Sequence, residues 1–430
     1  MDQLVLFSSK QSSKNLQTFI SRLADSTLSI PEGLHTIPCT HGLHRFAGKF
    51  IPNIPRFILR TVIPSKGGRV ILDPFCGSGT TLVEAALDGK EFIGMDIDPL
   101  SVAISTAKTQ ALSEADISNL EKFWASHDYH TGCPQFIPSV PNINHWFTDT
   151  ALIQLSSIKA RCMTLPKKLQ LFSLIVFSSI IRRVSNADDQ TQKTYVSHTL
   201  PKTPPLASTL FPIFLQRAIA GMREYVSLLP REPKGKIILG DARFDLNGIV
   251  FHDVITSPPY IDSIDYIYNQ MLEYYWLLDE VGIGSHDKYR ELRKQPMGFK
   301  TYDDSMLHAF PKEYIPDISS KFEEICSLVG AVSPKEELVV RSFFLDYAKH
   351  VQAIYLKQQK GNFYVCVIGN SFIRGTTIPS AEIIESIHRN VGYKFNDKLT
   401  YEIRRHYMKF PRRSNSGKIK QDYILIFEVP

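Results

Sequence analysis

The chain has little that would tie it to a membrane or to an oxidising compartment. No apolar run is long and clean enough to span a bilayer. The best stretch, Leu169 to Ile181, is short and ends at Arg182 and Arg183. The N-terminus, MDQLVLFSSKQSSKN, lacks the basic start and apolar core of a signal peptide. The six cysteines are scattered with no CxxC pair, so neither a zinc site nor a disulfide framework is predicted. No metal is expected, and a cytoplasmic location fits. Internal repeats and low-complexity tracts are also missing.

What is present reads as globular protein. The 430 residues are 43% hydrophobic and 21% charged. That length suits two or three domain-sized units, or one domain with large insertions. The net charge of +6 permits a polyanionic partner without requiring one. Its distribution is more pointed. The stretch from Arg404 to Lys420 holds Arg404, Arg405, Lys409, Arg412, Arg413, Lys418 and Lys420 and no acidic residue. A solvated surface loop and a contact with a polyanion both fit.

Five short segments predict a mostly parallel sheet: Arg69 to Asp73, Glu91 to Ile97, Lys236 to Leu239, Asp253 to Thr256 and Phe363 to Ile368. Each is apolar and ends in Gly, Pro, Asp or Ser, the pattern of an open α/β sheet. Ligands of such sheets bind beyond the carboxyl ends of the strands, so the five polar ends are expected to line one crevice. Two further strands, Tyr401 to Phe410 and Tyr423 to Val429, read as a long hairpin closing the sheet. Two regions break this rhythm. Ser113 to Arg231 predicts helices around a polar, Pro-rich loop at Ser185 to Pro205. Leu278 to Glu336 is mixed and charged, with Lys288, Arg290, Arg293, Lys294 and Lys300 close together.

The strand ends carry the chemistry. After Asp73, the turn Gly77-Ser78-Gly79 leads into a helix starting near Thr80 or Thr81. Glycines let the backbone approach a ligand, and the helix start offers unpaired N–H groups. A purely structural turn explains the same residues. The next strand ends in Gly94-Met95-Asp96-Ile97-Asp98. Asp96 is placed to accept from ribose hydroxyls, or to serve as a strand-end turn residue. Asp241, in Gly240-Asp241-Ala242, can accept from an adenine amino group. The fourth strand ends in Ser257-Pro258-Pro259-Tyr260, a stiff turn with acceptors and few N–H donors.

Taken together, DPFCGSGTT, GMDID, GDAR and TSPPY resemble the amino-methylating (N4-cytosine and N6-adenine) DNA methyltransferases. Phe46 to Pro52 (FAGKFIP) resembles that family's KFxP-type motif. The resemblance covers about half of the chain and neither of the two irregular regions. It implies a Rossmann-like class I α/β fold and S-adenosylmethionine as cofactor. By position, cofactor contacts fall to Lys49, Phe50, Asp73, Phe75, Gly77, Ser78, Gly79, Thr80, Asp96, Ile97, Asp241 and Ala242. Catalysis falls to Ser257, Pro258, Pro259 and Tyr260.

The target amino group is a poor nucleophile because its lone pair is delocalised into the ring. The Ser257 hydroxyl and the Pro258 carbonyl are acceptors for its hydrogens, set where positive charge develops. Tyr260 offers a face for stacking. No general base is obvious, since the proton can leave to solvent. A base inside a duplex cannot reach such a pocket, so base flipping is implied. Asp262, Asp265 and Tyr266 lie near enough to brace the loop, or serve as cap and core residues.

Serine as first letter is commoner among the family's cytosine-N4 enzymes, and Asp or Asn among its adenine-N6 enzymes. Cytosine is therefore preferred, with adenine as the alternative, then an RNA or protein amide-N methyltransferase, then a non-catalytic DNA-binding subunit. A C5-cytosine enzyme needs a cysteine nucleophile after a Pro. The chain's Pro38-Cys39 lies upstream of the cofactor loop, in the wrong order.

Double-stranded DNA is the expected partner, and a cognate restriction endonuclease is compatible. Arg404, Arg405, Lys409, Arg412 and Arg413 are candidate phosphate contacts. The expected organisation is residues 1–112 for the cofactor half and 113–231 for a helical insertion. Residues 232–277 form the catalytic half, 278–349 a second insertion, and 350–430 the closing strands. Either insertion, or the C-terminal hairpin, could read the target sequence.

Overall fold

A computed structural model describes residues 27–28, 39–64, 68–188, 193–197, 199, 201–261, 265–298, 302–402 and 421–430. Among them ten strands form: β1 Thr27–Leu28, β2 Val70–Asp73, β3 Glu91–Asp96, β4 Gly235–Leu239, β5 Asp253–Thr256, β6 Phe363–Gly369, β7 Ser371–Ile373, β8 Thr376–Ile378, β9 Lys394–Glu402 and β10 Gln421–Glu428. Eight make one sheet in the order β1-β9-β10-β6-β5-β2-β3-β4, and β7 and β8 pair separately. The strands from β4 to β6 run parallel, while β10 inserts antiparallel between β6 and β9. This is the Rossmann-like α/β sheet expected, with its antiparallel C-terminal pair.

The alternation of side chains sorts the core into two layers. Ile71, Ile255, Val365, Val367, Ile424 and Ile426 face one apolar cluster. Their neighbours Leu72, Val254, Tyr364, Cys366, Leu425 and Phe427 face the other. A strand buried on both faces reads as a continuous apolar run, which explains why VILD, DVIT and FYVCVIG are legible without alternation.

Each of the two regions that break the α/β rhythm covers one face. Helices Asp149–Met163, Lys167–Val184 and Ala207–Leu228 bury Leu155, Phe172, Phe177 and Phe211 with Leu82 and Ile104 of the cofactor half. The second region is helical rather than mixed. Asp304–Tyr314, Ser319–Val332 and Pro334–Tyr355 pack on the opposite face. Their apolar stripe (Phe322, Ile325, Cys326, Val329) has helical spacing, but charged residues on the outer face obscure it. Helix Pro334–Tyr355 runs through the expected junction at 349/350.

Two further expectations change. The strand placed at Tyr401 to Phe410 starts at Lys394, and residues 403–410 lie outside the described part. The segment KFNDKLT carries the strand-poor residues Asn and Asp, yet it is fixed by pairing with β10. The basic run at 288–294 is largely paired locally. Arg293 meets Asp265, Lys294 meets Glu291 and Arg290 meets Asp287. No helix among the described residues is long and apolar enough to cross a membrane.

Candidate active site

A cleft opens beyond the carboxyl ends of β2, β3, β4 and β5. β2 and β5 are adjacent although the chain visits β3 and β4 between them, so this is where the strand order reverses. The cleft takes residues from all four strand ends: Phe75, Gly77, Ser78 and Thr80; Asp96 and Ile97; Asp241 and Ala242; Ser257 and Pro259. Lys49 and Phe50 close it from the N-terminal segment. The end of β6 does not reach it. Asn370 instead accepts from the Ala381 N–H at the start of helix Ser380–Val391, at 3.2 Å.

The glycine turn is shaped by backbone needs. Gly77 and Gly79 have φ of 47° and 77°, the left-handed region that side chains rarely adopt. A Cβ on Gly77 would meet Phe46 Cε1 at 3.1 Å, and one on Gly79 would meet Ser105 at the same distance. The Asp96 carboxylate holds the turn, accepting from the Gly77 N–H at 2.8 Å and the Asp98 N–H at 2.9 Å. Burial, with the neighbouring charge of Asp98, raises its pKa above the usual carboxylate range. A carboxylate has about four acceptor positions, so two remain for a ligand. Buried Lys108 donates to the Ser78 carbonyl at 2.9 Å. The Ser78 hydroxyl is buried with no partner among the described residues.

Asp241 is gripped by Arg243, whose Nε reaches both carboxylate oxygens at 2.9 and 3.0 Å. The same guanidinium pairs with buried Asp346 at 2.7 Å and donates to the Gln295 carbonyl at 3.0 Å. It thereby ties β4 to Asp346 and to the segment of Gln295, whose neighbour Met297 forms part of the cleft wall.

Asp73 is buried and does not line the cleft. It accepts from the Thr256 hydroxyl at 2.7 Å and locks β2 to β5, with burial pushing its carboxyl up to about 6. Gly79 and Pro258 also lie outside the lining. Tyr260 is half-buried beside the cleft, and its hydroxyl donates to Asp422 of β10 at 2.8 Å. Asp265 caps the helix Tyr266–Asn269 and pairs with Arg293, so it acts as a cap residue. Tyr266 is a cleft residue, its ring stacked on Phe46 with centroids 6.3 Å apart. Asp262 and the basic residues Arg404, Arg405, Lys409, Arg412 and Arg413 fall outside the described residues.

A family model described as DNA methylase matches residues 32–107, which span the KFxP-like segment, the glycine turn and Asp96. The type II methyltransferase M.MvaI of Kocuria varians is 28% identical, over 89% of this chain and 87% of that protein. M.MjaII of Methanocaldococcus jannaschii is 42% identical over 19% of this chain and 14% of its own length. M2.DpnII of Streptococcus pneumoniae is 37% identical over 18% and 30%. These matches support an amino-methylating DNA methyltransferase family for the chain.

S-adenosylmethionine is the methyl donor of this methyltransferase, and the cleft has a donor set that fits it. Asp96 and the unpartnered Ser78 hydroxyl offer polar contacts, and Phe75, Ile97, Ala242 and Met297 offer apolar walls for a flat ring. Phe46, Arg243 and Met297 carried no predicted role. Phe46 had a signal, standing three residues before Lys49 in the KFxP-like segment. Met297 had none, because only tertiary packing brings it to β4.

Proposed function

We propose that this methyltransferase transfers a methyl group to N4 of a flipped cytosine in double-stranded DNA. The observation that carries the reading is the convergence of Ser257 and Pro259 with Asp96, Asp241 and the glycine turn in one cleft. S-adenosylmethionine, when bound, supplies an electrophilic methyl on its sulfonium. The chain's residues do the rest by placement. The Ser257 hydroxyl and the Pro258 carbonyl accept from the target amino group, holding its lone pair toward the cleft and offsetting charge as the N–C bond forms. The bound cofactor would supply the methyl and keep the C–S bonding pair, and the chain's residues leave the spare amino proton free to pass to solvent. Orientation supplies most of the acceleration. Tyr260, tethered through its hydroxyl, keeps its ring for stacking on the base.

Serine at position 257 favours cytosine over adenine through the family pattern. Arg404, Arg405, Lys409, Arg412 and Arg413 are proposed phosphate contacts. The boundaries 113–231 and 278–349 stand as proposed insertions. The helices within both bury their apolar faces on the sheet, which leaves their outer surfaces and the 403–420 segment to meet DNA. A cognate restriction endonuclease is compatible with a type II relative. The test is sequencing of DNA from cells expressing the protein, with a readout that separates N4-methylcytosine from N6-methyladenine. N6-methyladenine alone overturns the choice of base. Label from the cofactor passing only to RNA or protein overturns the substrate.

A further inference from the structure

One buried carboxylate, Asp346 of helix Pro334–Tyr355, holds two parts of the cofactor cleft at once. Its Oδ1 meets Arg243 Nη1 at 2.7 Å and also accepts from the Tyr302 hydroxyl. Its Oδ2 accepts from the Gly298 N–H at 3.1 Å. Arg243 carries the contact onward. Its Nη2 donates to Asp241 Oδ2 at 2.6 Å and to the Gln295 carbonyl at 3.0 Å. Residues 295–298 therefore form a strap fixed at both ends, by Arg243 at Gln295 and by Asp346 at Gly298. Gln295, Pro296 and Met297 line the cleft. Gly298 has a φ of 81°, and a Cβ there would meet the Val339 carbonyl at 3.2 Å, so the strap lies directly on the helix.

The network is costly and directional. A buried ion pair contributes little net stability, because desolvation offsets its attraction, so the use of this one lies elsewhere. The Arg243 side chain is 2% exposed, while the Asp241 side chain keeps 23% exposure at the cleft lining. Gripped by the fork, the Asp241 carboxylate cannot turn away from the cleft. It stands there as a fixed acceptor beside the apolar surfaces of Ala242 and Met297. Such a site takes a flat purine that carries an amino group at C6. It repels one that carries an oxygen there, since two acceptors would then face each other.

We propose that Asp346 is a positioning residue that makes the cleft selective for a 6-amino purine nucleoside, acting through Arg243 on Asp241 and through the strap on Met297. This rests on the reading of Asp241 as acceptor for the adenine amino group and deepens it. The two arms do different work. The Arg243 arm aims the acceptor and decides between amino and oxo purines. The strap arm brings up Met297, which contacts either purine alike. Asp346 itself does not line the cleft, so its substitution reaches the nucleoside only through these arms.

The test is calorimetric titration of the full chain with S-adenosylhomocysteine and with S-inosylhomocysteine, which carries an oxygen in place of the amino group. The wild-type protein is expected to bind the adenosyl compound about 50-fold or more tightly. Asp346→Asn should cut that preference to within about fivefold, by weakening the adenosyl compound. Arg243→Lys should do the same, since an ammonium cannot join two carboxylates with a planar fork. Met297→Ala should weaken both compounds by a similar factor and keep the preference. Thermal unfolding reports which variants fold. A folded Asp346→Asn or Arg243→Lys protein with the wild-type preference overturns the inference alone. So does a preference lost in Met297→Ala, which assigns selectivity to the wall, or failure of both network variants to fold, which makes the network structural. A wild-type protein that binds the two compounds equally overturns the reading of Asp241, and this inference with it.

Discussion

On the glycine-turn wall of the cleft, the contacts that fix the geometry are short in sequence and made to the backbone. Gly77 and Asp96 are 19 residues apart and joined at 2.8 Å. The wall that carries Ser257 is braced by side chains from distant segments. Tyr260 reaches Asp422, 162 residues away, and Tyr266 stacks on Phe46 from the N-terminal segment. The first wall is one interlocked unit, so a change in it should disturb cofactor binding. The second is several separable tethers, so changes in it should disturb turnover and leave cofactor binding intact.

The strongest challenge to this contrast is Asp96→Asn. An amide at this position must present an N–H donor to one of two backbone N–H groups. The expected loss in S-adenosylmethionine affinity is about 100-fold, or about 3 kcal/mol. Calorimetric titration measures it, and a loss under about threefold would break the claim that Asp96 organises this wall.

Next in size is Tyr260→Ala. Base–aromatic stacking is worth about 1–3 kcal/mol, so methylation should fall by about 5- to 150-fold while cofactor affinity holds within about twofold. DNA modified equally well by this variant would remove Tyr260 from the site. Parallel losses in turnover and cofactor binding would show the two walls to be one unit.

Tyr260→Phe sharpens the comparison by keeping the ring and cutting the tether. Methylation should largely persist, and stability should drop by about 1–3 kcal/mol because buried Asp422 loses its donor. The pH dependence gives a separate readout. Burial lifts the Asp422 carboxyl from 3.8 to about 6, and the Tyr260 hydrogen bond opposes that rise. A carboxyl raised in the folded state stabilises the fold in its protonated form. Its contribution is complete below the unfolded value of about 4 and is lost as pH rises through the folded one. Removing the hydroxyl should move that window to higher pH, and Asp422→Asn should abolish it. Urea melts from about pH 4 to pH 8 distinguish these outcomes.

The same contrast explains how much was legible in the sequence. The central strands, the glycine turn and Asp96 announce themselves because their constraints are local: continuous apolar runs, left-handed glycines and an acid at a strand end. The KFxP-like segment and SPPY were readable through resemblance. Asp73 was misplaced because its strand-end position looks the same whether it faces a ligand or, as found, locks β5. Met297, the Arg243 fork and the start of β9 at Lys394 were not legible. Each depends on a partner far along the chain, Asp346 for Arg243 and β10 for β9. The helices from Asp304 to Tyr355 hid for a different reason. Their charged outer faces dilute an apolar stripe that matters only once a sheet is there to receive it.

The smallest expected effect tests where DNA is held rather than how it is modified. Arg404 to Lys420 has seven cations and no acid in the sequence, and it joins β9 to β10, whose Asp422 anchors Tyr260. Phosphate contacts there would place the backbone near the SPPY wall without contributing to the cofactor wall. Each neutralised phosphate contributes about −0.9 to the slope of log affinity against log salt. Arg412→Ala combined with Arg413→Ala should therefore reduce the magnitude of that slope by about 2, weaken binding to all duplex sequences alike, and leave S-adenosylmethionine affinity unchanged. Binding isotherms at several salt concentrations decide it. An unchanged slope would return this stretch to the role of a solvated loop and move the phosphate contacts to the outer faces of the helical layers.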